Sequence, residues 1–376
     1  MSKKSTFVAH GLRCVSVALL PLFLLGCTSQ ASEKQVGAAS VVSAPVSGAV
    51  LRQDIAQGIY ELVYSPGSNA VFVASSAELS GKGGGAIYQL DPKTLAVQKT
   101  IALPLKPFAL ALDTRSNTLY AGHTLDGAVS AIDASTGTVK GTLHHGVNNA
   151  KGKAVHTRQI VVDEDAGQVI VSGVTDGGFI WVIDSKKFAT ERILRDIDAP
   201  TAGLTLDAAN HQLLVSGTAA YAVFDTRSWE QISENRIPEK RDSSDARRRF
   251  LVNTALDSKS ERLFANQLNN GEGTLVFDMK TGSILHRIPT GETPVGIRYN
   301  PIRNEVYVAS RDSGTLSVID ATSYAIKHSI VLPAHPNTVA VTPDGQCLYV
   351  SVKQPFAEEG QPAVLDQVVR IDLQAL

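Results

Sequence analysis

Residues 304–323 read NEVYVASRDSGTLSVIDATS, and this stretch contains the pattern that decides the fold. Two short apolar runs, Val306–Val308 and Leu316–Ile319, are separated by a polar turn, and the second run ends at Asp320. Runs of this length that are rich in β-branched residues and bounded by turn residues are typical of β-strands. The stretch therefore predicts a hairpin of two strands, followed by a tight turn.

The same apolar run ending in aspartate recurs along the chain. The repeated residues are spaced by 41 to 53 positions and are Asp91, Asp133, Asp184, Asp225, Asp278, Asp320 and Asp372. Each unit has strand-like runs and no amphipathic stretch of helical length, and four strands per repeat are typical of a propeller blade. We therefore predict an all-β, seven-bladed β-propeller. In each blade the repeated aspartate should accept N–H groups of the turn that follows it.

The last repeat stops after its third strand, at Leu373. Residues 49–55, AVLRQDI, have the pattern of a fourth strand and precede Gly58, much as SILHRI at 283–288 precedes Gly291. We expect this N-terminal strand to complete the last blade and to close the ring without open sheet edges. The propeller would then occupy residues 48–376.

Composition and charge exclude several classes of protein. With 43% apolar and 19% charged residues, the chain is neither intrinsically disordered nor a coiled coil. A formal net charge of −1 excludes a nucleic-acid binder that is basic throughout. The sequence lacks HExxH, CxxCH and GxSxG motifs, and we predict neither a cofactor nor a metal site.

Residues 1–26 have the pattern of a bacterial signal peptide. Basic residues at positions 3, 4 and 13 precede the apolar run Val15–Leu25, which is too short to cross a bilayer comfortably. The run ends Leu24-Leu25-Gly26-Cys27, which resembles the lipobox of bacterial lipoproteins. We therefore expect Cys27 to carry a lipid that anchors the protein in a membrane.

Thr28, rather than aspartate, follows Cys27, which resembles the pattern of lipoproteins sent to the outer membrane. We expect a cell-envelope protein, an outer-membrane lipoprotein that faces the periplasm, with residues 27–47 as a flexible tether. Only Cys27 and Cys347 remain after cleavage, so no disulfide within the chain is expected. Cys347 lies in an apolar run and is predicted to be a buried strand thiol.

Several segments resemble a known family. They include Lys106-Pro107-Phe108, residues 180–184, 303–308 and 317–321, His335-Pro336-Asn337 and residues 348–354. Over roughly residues 48–373 the chain resembles the bacterial YVTN-repeat propellers of the YncE type. This resemblance implies a seven-bladed propeller in the cell envelope and brings no enzyme mechanism with it. The lipobox and the 234–250 loop depart from the family pattern.

The long insertions are predicted to lie on one face of the propeller. Residues 75–85 and 353–366 would join second to third strands, and residues 144–157 and 234–250 would join one blade to the next. In a propeller these two kinds of connection share a face. Long loops on a rigid scaffold commonly carry binding, so we expect the functional surface here.

The start of each inner strand should form the rim of the central channel. The candidate ligand-binding residues at this rim are Lys106, His156, Arg158, His335 and Asn337. Cationic and amide side chains that converge in this way suit a carboxylate or a phosphate. The water-filled openings of propeller channels are also routinely lined by polar residues, so the same residues are compatible with a rim that binds no ligand.

The leading prediction is a non-catalytic binding or scaffold module. Its partner would be a protein, an envelope polymer or a small anion, and its oligomeric state is left open. The first alternative is single-stranded nucleic acid, bound by Lys151 and Lys153 in loop 144–158 and by the arginines at positions 247–249 in loop 234–250. The second is a lactonase-like hydrolase, for which the sequence shows no diagnostic arrangement of residues.

Overall fold

The seven repeats fold into seven four-stranded antiparallel sheets. The structure, a computed structural model, describes residues 48–77, 83–175, 178–195, 197, 201–238, 250–268, 273–355 and 364–376. These residues belong to the compact unit Val41–Leu376. The predicted all-β, seven-bladed propeller is confirmed.

The strands are numbered along the chain, beginning with β1 (Val50–Ala56). Blades 1 and 2 contain β2 (Ile59–Ser65), β3 (Ala70–Ser75), β4 (Gly85–Leu90), β5 (Val97–Leu103), β6 (Ala109–Asp113), β7 (Thr118–His123), β8 (Ala128–Asp133) and β9 (Val139–His144). Blades 3 and 4 contain β10 (His156–Asp163), β11 (Gln168–Val174), β12 (Phe179–Asp184), β13 (Ala189–Arg195), β14 (Gly203–Asp207), β15 (Gln212–Gly217), β16 (Ala220–Asp225) and β17 (Gln231–Arg236). Blades 5 and 6 contain β18 (Leu251–Asp257), β19 (Arg262–Gln267), β20 (Thr274–Asp278), β21 (Ile284–Ile288), β22 (Pro294–Asn300), β23 (Glu305–Ser310), β24 (Thr315–Asp320) and β25 (Ile326–Val331). Blade 7 contains β26 (His335–Val341), β27 (Cys347–Lys353) and β28 (Asp366–Asp372), together with β1. Short 3-10 helices lie at Ala208–Asn210 and Leu373–Ala375.

The N-terminal strand closes the ring. β1 pairs antiparallel with β28, from Val50 opposite Ile371 to Ala56 opposite Asp366. The predicted closure of the last blade is therefore confirmed, and it removes the open edge of β28.

Apolar clusters fill the interfaces between the blades. Each of the seven clusters joins two neighbouring blades, and together they cover every junction around the ring. Both faces of each sheet are thus buried, which explains the nearly continuous apolar runs in the middle strands. Because the ring is closed, opening one junction exposes two apolar sheet faces to water.

The repeated aspartates accept N–H groups of the turns that follow them, as predicted; six turns join third to fourth strands, and Asp372 caps the C-terminal 3-10 helix. Six of them accept hydrogen bonds through Oδ1 from the N–H groups two and three residues later, at 2.7–3.0 Å. Asp372 accepts one from the N–H of Gln374 at 3.0 Å. In the other six repeats, the hydrogen bonds from the turn N–H groups hold the pKa of the aspartate carboxyl group below its usual value. For Asp225 the N–H of Ser228 and the side chain of Arg227 lower the pKa to about 2.

We expect the melting temperature to fall as the pH drops from about 4, the usual aspartate pKa, toward 2. A carboxyl group with a lowered pKa in the folded state stabilises the protein above its unfolded pKa, and protonation removes that contribution. The variant Asp225→Asn keeps an oxygen acceptor but does not titrate. Circular dichroism melts across this range should show a smaller loss for the variant, and an equal loss would contradict the assignment.

The four long connections join the strands that the sequence analysis assigned to them. Residues 75–85 connect β3 to β4, and residues 353–366 connect β27 to β28. Residues 144–157 connect β9 to β10, and residues 234–250 connect β17 to β18. Since neighbouring strands run in opposite directions, all four connections share one face, here called the long-loop face. Parts of three of them, 78–82, 239–249 and 356–363, lie outside the described residues.

The predicted signal peptide 1–26, the lipidation site Cys27 and the tether 27–47 lie outside the described residues. In the described part of the chain, none of the helices has the length and apolar character needed to cross a membrane. Cys347 is a free thiol in β27, half-buried, with Arg370 Nη2 at 3.1 Å from its Sγ. Its burial raises the pKa of the thiol, which disfavours the reactive thiolate.

Candidate functional site

Five inner strands carry a β-bulge at the same level, and together these residues are called the bulge ring. In blades 1, 3 and 5 two inner-strand residues stand opposite one residue of the second strand, and in blades 6 and 7 one extra residue is inserted. The bulge ring consists of Tyr60, Glu61, Arg158, Gln159, Val252, Asn253, Val295 and Asn337. A bulge interrupts strand pairing and redirects side chains, which is why bulges are common beside functional sites.

Serine side chains of the second strands bond backbone N–H groups at two bulges. Ser172 Oγ accepts from the N–H of Gln159 at 3.2 Å, and Ser351 Oγ accepts from the N–H of Thr338 at 3.1 Å. Gln159 lies within a bulge and Thr338 directly follows one, where the strand ladder is interrupted and a buried N–H group without a partner would be costly. The local sequence thus supports the irregular backbone that presents the bulge ring.

Arg158 of blade 3 reaches past blade 4 to blade 5. Its Nη1 donates to the carbonyl oxygen of Ala202 at 3.0 Å and to Asn253 Oδ1 of blade 5 at 3.1 Å. Blades 3 and 5 flank blade 4, so this bond runs past the inner strand of blade 4 on the channel side. Removal from water lowers the pKa of the guanidinium to about 10, while Glu61 opposes this shift. The side chain therefore stays positively charged at neutral pH.

Glu61 and Arg298 form a second contact between blades that are not neighbours. Arg298 Nη2 of blade 6 lies 3.5 Å from Glu61 Oε1 of blade 1, and its Nη1 donates to the carbonyl oxygen of Ile297 at 2.9 Å. Desolvation raises the pKa of Glu61, and the charges of Arg298 and Arg158 counteract that increase. The channel thus holds two guanidinium groups around one carboxyl group, and we call these three residues the channel cluster.

An aromatic pair lines the channel beside this cluster. The rings of Tyr60 in blade 1 and Phe108 in blade 2 have centroids 4.4 Å apart with a tilt of 38°. The Nζ of Lys353 in blade 7 lies 4.0 Å from the centroid of the Tyr60 ring. The Tyr60 side chain therefore contacts both neighbouring blades, which places it on the channel side of their junctions.

Lys353 also belongs to a buried ion pair at the junction of blades 7 and 1. Its Nζ lies 3.3 Å from Asp366 Oδ2 and donates to the carbonyl oxygen of Ile59 at 3.0 Å. The carboxylate of Asp366 accepts from the N–H groups of Ile59 at 2.9 Å and Gln354 at 2.6 Å. Burial lowers the pKa of Lys353, and the carboxylate opposes that shift. The pair fastens the start of the first inner strand to the last blade.

The five residues predicted at the rim fall at two levels. Arg158 and Asn337 lie in the bulge ring, whereas Lys106, His156 and His335 lie two residues earlier, toward the long-loop face. Lys106 is buried, with 7% of its surface exposed, and His156 is exposed at the start of β10. His335 is half-buried, and its Nδ1 lies 3.2 Å from a backbone carbonyl oxygen of blade 6.

The predicted basic loop 144–158 contains an ordered hairpin. The N–H of Val155 donates to the carbonyl oxygen of Val147 at 2.9 Å, and Asn149 Oδ1 accepts from the N–H groups of Lys151 and Lys153. Both lysine side chains are exposed at the tip. At the base, buried His145 packs against two aromatic rings of β12, with centroids at 4.9 and 5.4 Å.

The second half of the predicted nucleic-acid interface, Arg247, Arg248 and Arg249, lies outside the described residues. Within the part of the chain that the structure describes, no group of three or more His, Cys, Asp or Glu side chains could hold a metal ion. The described residues therefore offer no candidate metal centre.

The sequence analysis did not identify Arg298 and Asn253 as candidate site residues. Asn253 directly follows Val252, which occupies the predicted rim position of blade 5, so the repeat register contained this signal. Arg298 lies further along its inner strand than the predicted rim, and nothing in the repeat singles it out. Its role follows only from its contact with Glu61 of blade 1.

Comparison with known proteins supports the fold and identifies relatives. No family model matches the chain. It is 33% identical over 330 residues to the uncharacterized protein YncE of Salmonella typhi, covering 86% of this chain and 91% of that protein. YncE of Escherichia coli K12 is 33% identical over 327 residues, with the same coverage of 86% and 91%.

Among solved structures, hydrazine synthase of Kuenenia stuttgartiensis superposes with a TM-score of 0.63 at 16% sequence identity. This match covers 82% of the present chain and 96% of the other. At that identity the likeness shows the fold alone.

Proposed function

We propose that this chain, which belongs to the YncE family, is a non-catalytic binding protein that holds a small anionic ligand in its channel. The observation that carries the proposal is the channel cluster, in which Arg158 and Arg298 surround the single carboxyl group of Glu61. Two positive charges and one negative charge leave one guanidinium charge without a counterpart. A partly desolvated charge of this kind favours an anion in the channel.

Arg158 has donors to spare for a ligand. Its Nη1 is used by Ala202 and Asn253, whereas no hydrogen bond within the described residues uses its Nε or Nη2. An arginine that presents Nε and Nη2 side by side can bind an oxyanion through two parallel hydrogen bonds. The bonds to the inner strands hold the guanidinium in place before the ligand arrives, which reduces the entropy cost of binding.

The approach to the cluster is from the long-loop face. The bulge ring lies near the start of the inner strands, and the exposed His156 and half-buried His335 lie between it and that face. These two residues and Asn337 are therefore proposed to contact the ligand or to line its path. Lys106 at the same level is buried and is proposed to form part of the channel wall.

We expect the variant Arg158→Gln to bind acetate and inorganic phosphate at least roughly tenfold more weakly, since a hydrogen bond to a charged group contributes about 1.5–3 kcal/mol. Isothermal titration calorimetry on the purified protein at constant ionic strength would measure this. Arg298→Gln should show a loss in the same direction. Arg115→Gln is the matched control, because this side chain is 61% exposed and lies on the face opposite the long loops.

Undiminished affinity in both channel variants would contradict the proposal, as would anion binding that Arg115→Gln weakens equally. Melting curves of the variants would separate loss of binding from loss of folding.

The proposed cellular location is the cell envelope, with the lipid on Cys27 as the membrane anchor. It rests on residues 1–28 of the sequence, so it stays a prediction. The propeller would bind an envelope protein or polymer through its long-loop face, and this partner remains a prediction as well.

Single-stranded nucleic acid remains the second candidate partner. The observation in its favour is the hairpin at 147–155, which presents Lys151 and Lys153 on an ordered support and contains no acidic residue. Binding of a labelled oligonucleotide that weakens with salt, and that is lost in Lys151→Glu/Lys153→Glu, would support it. A lactonase-like hydrolase is not supported by a specific arrangement of the described residues.

A further inference from the structure

We infer that the ligand of the channel is an aromatic monocarboxylate, whose ring packs on Tyr60 and Phe108 while its carboxylate binds Arg158. The inference rests on the proposed function and narrows it to one chemical class. It is argued from an aromatic surface, a guanidinium group and small side chains in the facing blades at one level of the channel, together with a charge balance that selects one negative charge.

The aromatic surface and the guanidinium group occupy the same register position in consecutive blades. In blades 1, 2 and 3, the residue five positions before the last residue of the inner strand is Tyr60, Phe108 and Arg158, respectively. Tyr60 and Phe108 are both half-buried, and their rings are tilted by 38° rather than stacked flat. Such a pair offers partly exposed ring surface on which a third ring can pack edge-to-face or offset.

Lys353 makes the Tyr60 side of the channel rigid. Its ammonium group lies 4.0 Å from the ring centroid and is itself held by Asp366 and by the carbonyl oxygen of Ile59. The Tyr60 ring is therefore fixed in orientation before a ligand binds. A fixed aromatic surface favours a planar ring over a flexible chain of similar size, since little entropy is lost on contact.

The facing blades carry small side chains at this level. At the equivalent register positions, blades 4, 5 and 6 carry the small side chains of Ala202, Val252 and Val295. These small apolar side chains face the aromatic pair of blades 1 and 2, and Arg158 and Asn253 supply polar groups beside them. A mostly apolar site with one well-placed charged group is the usual composition of a small-molecule site.

The charge balance selects a monoanion. The channel cluster carries one net positive charge, so a single carboxylate neutralises it. A phosphate dianion would leave a net negative charge next to Glu61 in a partly desolvated site, which is unfavourable. The charge argument favours a carboxylate over a phosphate as the ligand. The aromatic surface favours a ligand with a ring over one with a simple aliphatic chain.

The test compares five probes by titration calorimetry on the full protein. The probes are benzoate, cyclohexanecarboxylate, acetate, benzyl alcohol and inorganic phosphate, all at constant ionic strength. We expect benzoate to bind roughly tenfold more tightly than acetate and several-fold more tightly than cyclohexanecarboxylate, since aromatic pairs add affinity beyond buried area. Benzyl alcohol and phosphate should bind more weakly than benzoate.

Two substitutions separate the parts of the site. Phe108→Leu should abolish the preference of benzoate over cyclohexanecarboxylate while acetate binding stays within about twofold. Arg158→Gln should weaken all three carboxylates by a similar factor. Tyr88→Leu is the matched aromatic control, because Tyr88 packs in the cluster between blades 7 and 1.

The outcomes distinguish this inference from the proposed function. If acetate and benzoate bind equally and Arg158→Gln weakens both, the aromatic specificity is wrong and the anion site stands. Tighter binding of phosphate than of benzoate would also overturn the monocarboxylate class. If none of the probes binds, both proposals fail.

Discussion

A chain that lacks residues 48–56 is expected to lose most of its folding stability, because β1 is the fourth strand of blade 7. Its loss exposes the whole edge of β28 and removes buried Ile55 and Ala56 from the junction of blades 7 and 1. The hydrogen bond from Arg52 Nη2 to the carbonyl oxygen of Val331, 2.8 Å long, is lost as well. The deletion thus damages two blade junctions, on either side of blade 7.

The expected loss is on the order of 5–10 kcal/mol, since a deleted buried aliphatic side chain costs about 2–5 kcal/mol and each strand hydrogen bond about 1 kcal/mol. That is comparable to the whole stability of an ordinary domain. Urea denaturation followed by circular dichroism would measure it. Size-exclusion chromatography would show self-association through the newly exposed strand edge.

The matched control removes the chain only through residue 47, which leaves β1 intact. This variant should unfold at the same urea concentration as the protein with residues 28–47 present. If the shorter chain without residues 48–56 unfolded at that concentration too, β1 would not be needed to hold the ring closed.

The variant Asp366→Asn is expected to lose about 3–5 kcal/mol, because it leaves the ammonium group of Lys353 buried without a counter-charge. The two side chains are only 8% and 5% exposed. The carboxylate also accepts the N–H groups of Ile59 and Gln354 through different oxygens, and an amide can replace only one of them. Chemical denaturation at pH 7 measures the change directly.

The double variant Lys353→Met/Asp366→Asn should recover at least half of that loss, since it removes the isolated charge. A double variant as unstable as Asp366→Asn alone would show that the lost backbone bonds, and not the charge, are responsible. Asp165→Asn is the surface control, because its carboxylate pairs with Arg115 while 69% exposed. Surface pairs contribute at most about 1 kcal/mol.

The fold could be predicted from the sequence because each level of it has a local signal. The aspartate at the end of each third strand is required by the turn it caps, so it recurs at a regular spacing. The missing fourth strand of the last repeat and the isolated strand at 49–55 are complementary facts, and together they predicted how the ring closes. Neither inference needed the tertiary structure.

The candidate site could be predicted only in part. The repeat register placed Arg158 at the channel, and its position in the bulge ring agrees with that. The contact of Arg298 with Glu61 could not be predicted from the sequence, because it joins two blades that are not neighbours in sequence or around the ring. Bulges are hard to infer as well, since one inserted residue reverses which side chains face the channel.

The contacts between blades that are not neighbours have a consequence for how the ring can open. Arg158 bonds to Asn253 past blade 4, and Arg298 lies 3.5 Å from Glu61 past blade 7. A movement that separates blades 3 and 5, or blades 6 and 1, has to break one of these contacts. The side chains of the proposed anion site therefore also brace the ring against opening.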